Sequence, residues 1–135
     1  MLLGGTIAFA QFSATDSASA ALDRDTTLAA ISAAEFDARE RLVANVEAKV
    51  KSASDAVSAL QRKADTLSPD AQKAFKDAHT AARQKADHLK QSLRAAQNAK
   101  PEGWTEARSA LGARYTVYAD ALAQLETTAN AGNSK

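Results

Sequence analysis

Cysteine is absent from the 135 residues. No disulfide staples this chain, no thiolate set holds zinc in it, and no cysteine nucleophile is available. The absence leaves the redox compartment open. Proline occurs twice and glycine five times, which excludes collagen-like and Gly/Pro low-complexity chains. Aromatics make up only 5% of the residues. None alternates with the basic residues, so the base-stacking platform of a single-strand nucleic-acid binder is missing. The formal net charge is +1, without the basic excess expected of a nucleic-acid partner. Long apolar runs are lacking too. Leu2 to Phe12 is the longest, about 11 residues against the roughly 20 a membrane span requires.

What the chain has in abundance is alanine, 34 residues or about a quarter of the whole. Alanine is the best helix former and is depleted from strands, so an all-α fold is expected. Two prolines punctuate it. Ser68-Pro69-Asp70 reads as N-cap, first helical position and first-turn acid. Pro101 with Glu102 marks a second start. Three long helices are predicted, over about 33–67, 69–99 and 102–128.

Their apolar faces carry the pattern. In the first, Phe36, Val43, Val50, Val57 and Ala64 recur every seven residues, with Val46, Ala53, Leu60 and Leu67 three residues later. This is an a/d seam, interrupted at Arg39, whose stem is expected to cover the seam while its head reaches water. Ser32 and Glu35 match a capping box ahead of Phe36. The second helix has Ala71, Phe75, Ala78, Ala82, Ala86, Leu89, Leu93 and Ala96 on one face, mostly small residues. The third has Trp104, Leu111, Tyr118 and Leu125, with Ala107, Tyr115 and Leu122 beside them. Its aromatics are expected to fill the space left by the alanine seam. Short connections make such helices antiparallel, and a heptad period implies a left-handed supercoil. The expected fold is an elongated antiparallel three-helix bundle over 26–130, with a short extra helix near 22–31 allowed by Leu28 and Ile31. A homodimer that completes a thin core is the alternative.

Residues 1–25 read as a leader. An apolar stretch is followed by SATDSASA, which contains the triplet Ala18-Ser19-Ala20, the shape of a signal-peptide core and cleavage region. No Lys or Arg precedes Leu2. Export to the periplasm or beyond is the expectation, with a disordered cytoplasmic leader as the alternative. Residues 131–135 read as a flexible tail.

Charge is uneven along the chain. Residues 69–100 hold seven basic and three acidic side chains, whereas 101–128 hold two basic and four acidic. The second helix is thus a basic rod beside an acidic third helix. Lys73, Lys76, Arg83, Lys90 and Arg94 are the candidate contacts for an anionic surface. A solvated helix face with pairing between helices is the plainer account of the same residues.

No residue pattern points to catalysis, a cofactor or a metal. His79 and His88 are nine apart, on opposite sides of one helix, and HExxH, GxSxG and phosphate-loop patterns are absent. Carboxylates are paired with a base four residues on, as Glu35 with Arg39 and Glu47 with Lys51, which is ordinary helix support. Trp104, Tyr115 and Tyr118 read as core rather than as a ligand box.

The segment WTEARSALGARYTVYADALAQLE, from Trp104, resembles the Trp-led amphipathic helix of small exported bacterial helical-bundle and coiled-coil proteins of unassigned activity. There it follows a charged Ala/Leu/Lys heptad hairpin, and the resemblance covers about residues 36–128. It implies a non-enzymatic structural or protein-interaction module of the bacterial envelope, meeting a protein partner and exposed as an antigen. The alanine-rich amphipathic helices also resemble phasins and exchangeable apolipoproteins, which implies a lipid-surface protein as the alternative.

Overall fold

The computed structural model describes residues 18–131, all helices and turns. One turn of helix, α1 (Ala18–Ala21), leads into α2 (Arg24–Ala33). Three long helices follow: α3 (Arg39–Ala64), α4 (Pro69–Gln97) and α5 (Trp104–Ala131). At 1.5 Å per residue they are about 39–44 Å long.

The two proline starts behave as expected. Ser68 is the N-cap of α4, its Oγ accepting from the Ala71 amide at 3.4 Å, and Pro69 opens the helix. Gln72 closes the turn from the other side, its Nε2 donating to the carbonyls of Leu67 (2.9 Å) and Asp65 (3.1 Å). Pro101–Gly103 forms a 3-10 turn that delivers the chain into α5.

The start of the first long helix differs from expectation. Helix α2 runs through Ser32 and ends at Ala33, and Phe36–Ala38 is a separate 3-10 turn, so α3 begins at Arg39 rather than near 33. Ser32 therefore caps nothing, and the 3-10 turn has no side-chain cap bond. The break is held by α5. The Ala34 carbonyl accepts from Trp104 Nε1 at 3.0 Å and from Arg108 Nη1 at 2.9 Å. These two donors take the carbonyl that a continuous helix would use internally. Phe36 meets the Trp104 ring edge-on at 6.4 Å, and the Arg39 guanidinium stacks 4.0 Å over Phe36. Arg39 thus lies across the bundle end, stacked on an aromatic face.

Helix count is the larger difference. The short extra helix allowed near 22–31 is present as α2, a packed element, so among the described residues four helices have ten residues or more where three long ones were expected. It lies against residues 104–120 of α5, running opposite to it: Arg24 pairs with Asp120 at 2.9 Å, Ile31 lies over Gly112, and Ala34 meets Trp104. Helix α1 sits between α3 and α5. Leu22 and Ile31 are fully buried, and the Leu22 carbonyl accepts from Tyr115 Oη and from Thr27 Oγ1. Asp23 makes the joint between α1 and α2 with φ 50°, a left-handed conformation that Asp tolerates better than most residues. Of the expected leader, residues 1–17 lie outside the described residues, and so do 132–135 of the expected tail.

The core follows the a/d seams. Val43, Val46, Ala53, Leu60, Phe75, Leu89, Leu93, Leu111, Leu122 and Leu125 are buried, with Val50 and Val57 packed against them. The backbones of α4 and α5 approach each other most closely. The alanine seam permits this, since a methyl group keeps helix axes near. Helix α3 stands further off from α4.

Candidate functional site

The stand-off between α3 and α4 leaves a groove, and the basic side of α4 forms one wall. Small residues create it: Ser54 and Ser58 on α3 face Ala82 and Ala86 on α4. None reaches far enough to close the gap. Tyr118 and Leu122 of α5 fill it from below but only in part, and a cavity of about 310 Å³ remains above them. A second stretch of about 530 Å³, between Glu47, Lys51 and Asp55 on α3 and Leu93 and Arg94 on α4, shares Ser54 and Lys90 with the first. The two are parts of one groove.

The five expected anion contacts do not act together. Arg83, Lys90 and Arg94 line the groove. Lys73 lies outside it and pairs with Asp77 at 3.3 Å, an exposed i,i+4 pair worth about 0.3–0.5 kcal/mol. Lys76 is exposed, and its carbonyl accepts from Thr80 Oγ1. The candidates thus divide into a groove set and a solvated set.

His79 sits at the upper end of the first cavity. Its ring stacks on Phe75, one turn earlier, with centroids 6.0 Å apart and planes 12° from parallel. Burial lowers its pKa from 6.5, and the neighbouring Arg83 guanidinium lowers it further, so the ring is neutral at pH 7. His88 is exposed on the far side of α4.

Tyr118 forms part of the floor. Only 4% of the residue is accessible, and burial raises its pKa above 10.0. Its hydroxyl bonds to no described residue and keeps contact with water where Tyr118 lines the cavity. Tyr115, one turn earlier, is the opposite case. Its hydroxyl is engaged by the Leu22 carbonyl, and burial is the main cause of its raised pKa.

Chemically the site offers a neutral imidazole, an unengaged phenol, hydroxyl and amide groups from Ser54, Ser58 and Gln61, and two cations against one carboxylate, Asp87. Sequence reasoning placed Tyr118 in the core and passed over Ser54, Ser58 and Gln61. The only signal was the i,i+4 spacing of the two serines beside Val57, which a solvated helix face shares. Among the described residues no group of three His, Asp or Glu converges as a metal site would require. Comparison with protein-family models, curated proteins and solved structures finds no match to this chain.

Proposed function

We propose that this protein is a non-enzymatic interaction module of the bacterial envelope, working as a closed helical bundle rather than as a lipid coat. One observation carries the choice between the two. Among the described residues Val117, at 42% accessibility, is the only exposed large apolar side chain. A lipid-coating helix turns a broad apolar face to the membrane surface. Here the apolar stripes of α3, α4 and α5 are spent on one another, and those of α1 and α2 on α3 and α5. Opening the bundle exposes Leu89, Leu111, Tyr115, Leu122 and Leu125, each fully buried, at a cost of about 1.5–3 kcal/mol per side chain before lipid repays any of it. No described helix is long and apolar enough to cross a membrane. Export rests on the leader pattern of residues 2–20.

The test has two arms. In the first, the protein is mixed with phosphatidylglycerol and phosphatidylcholine vesicles. Co-sedimentation and the 222 nm melt are read. Trp104 emission is a poor probe, since the indole is already 5% exposed and bonded to Ala34, leaving little further blue shift to observe. The protein is expected to stay in the supernatant with an unchanged melt. Co-sedimentation with loss of the cooperative melt overturns the closed-bundle reading in favour of the lipid one. In the second arm, cells expressing the full chain with a C-terminal tag are fractionated. Recovery in the cytoplasm alone overturns export.

A further inference from the structure

The cavity between α3 and α4 sets apolar surface beside two cations and a tyrosine hydroxyl. A protein interior leaves few buried polar groups unpartnered, because an unmet hydroxyl forfeits the bonds it made to water. Tyr115 obeys this rule, its hydroxyl donating to Leu22. Tyr118 is 4% exposed as a residue, and its hydroxyl bonds to no described residue but keeps contact with water. Its hydroxyl opens onto a cavity of about 310 Å³, near the lower end of the range for small-molecule pockets. The cavity is neither fully apolar nor fully polar. Val57, Ala82, Ala86, Leu122 and the Tyr118 ring provide the apolar surface. Arg83 and Lys90 stand at its edge, and neither makes an ion pair among the described residues. Asp87 is the sole carboxylate of the lining, which leaves the site cationic while His79 is neutral.

We propose that this cavity binds a small organic carboxylate, its compact apolar body seated against Tyr118, Val57 and Leu122 and its carboxylate held by Arg83 and Lys90. The Tyr118 hydroxyl donates the hydrogen bond that orients the ligand. Arginine suits this role because its planar fork meets a carboxylate with two parallel bonds. Binding between helices fills space that α3 and α4 leave open, so it displaces little internal packing. The inference is independent of export and of any protein partner.

Benzoate is the probe, benzamide its uncharged isostere, and inorganic phosphate the anion without an apolar body. Each is titrated into the ¹⁵N-labelled full chain, and the amides of Ser58, Ala82, Ala86 and Tyr118 are followed. Benzoate is expected to shift them in a saturable way, with benzamide and phosphate at least about tenfold weaker, since charge-assisted bonds are the strong ones. The double variant Arg83→Gln, Lys90→Gln is expected to lose about tenfold or more in affinity. Tyr118→Phe is expected to lose about tenfold or more, the worth of one hydrogen bond to a carboxylate, with its melt unchanged. Lys73→Gln, outside the groove, is expected to bind as the parent does. Absence of a saturable shift with benzoate overturns the proposal. So does an equal response to benzamide or phosphate, or undiminished binding by the double variant.

Discussion

Gly112 sits in the middle of α5 without a side chain, and a Cβ built there meets Ile31 Cγ2 at 3.7 Å, an ordinary van der Waals distance. Nothing requires glycine at this helical position. Gly112→Ala is expected to stabilise the protein by about 0.4–1 kcal/mol, by restricting the unfolded chain and adding one contact. A thermal melt then rises by about 2–5 °C, and a fall shows that α2 is packed more tightly on α5 than this distance implies. The tyrosines and His79 contribute to the pH dependence of stability. Tyr115 and Tyr118 have folded pKa values raised by burial, so the unfolded chain loses their protons first. Stability from this source is complete below pH 10 and is lost as pH rises through the folded values. His79 has a lowered folded pKa, so the unfolded chain takes up its proton first, and stability falls as pH drops below 6.5. Urea midpoints measured across pH are expected to decline at both ends. Tyr118→Phe is expected to flatten the alkaline decline, and His79→Gln the acid one.

Among the elements, α2 separates two accounts of the N-terminal part. A detachable arm leaves the melt of the long helices unchanged when it is weakened. A packed fourth helix does not. Ile31 is 2% exposed and lies over Gly112 of α5. Ile31→Ala is therefore expected to cost about 2–5 kcal/mol in global stability, as other large-to-small core changes do. Chemical denaturation followed at 222 nm measures it, and a loss below about 0.5 kcal/mol would make α2 an arm. The helices also show how much of the fold was legible. Ser68-Pro69 marked its helix start to the residue, because cap and proline act within one turn. The seam at Val43, Val46, Ala53 and Leu60 was equally legible, because burial in a long amphipathic helix repeats with the helix itself. Ser32 and Glu35 misled. Their spacing suits a cap, but the Trp104 and Arg108 side chains, about seventy residues away, claim the Ala34 carbonyl and break the helix there.

At the scale of the molecule, the described helices α1 to α5 share one core, which predicts a single cooperative transition. Trp104 emission reports the end where Phe36, Ala34 and Arg39 meet, whereas 222 nm ellipticity reports all helices. The two melts are expected to coincide. An earlier loss of the tryptophan signal would show that this end opens on its own while the rest stays folded. The groove belongs to this scale as well. It exists because α4 lies close to α5 and α3 does not close over α4, a property of three helices that none shows alone.

Alanine content, the heptad seams and the two proline starts by themselves determined an all-helical chain, the long helices α4 and α5 to within a few residues, and most of the core. These are local or periodic properties, and each is settled within a few turns of helix. Only the tertiary structure decided that the extra helix allowed near 22–31 packs as α2, that α3 starts at Arg39, and that Arg83, Lys90 and Arg94 line a groove while Lys73 and Lys76 do not. It alone left the Tyr118 hydroxyl open to a cavity. Whether a seam tyrosine is fully packed depends on how far the opposing helices stand apart, and that distance is set by the side chains of three helices at once.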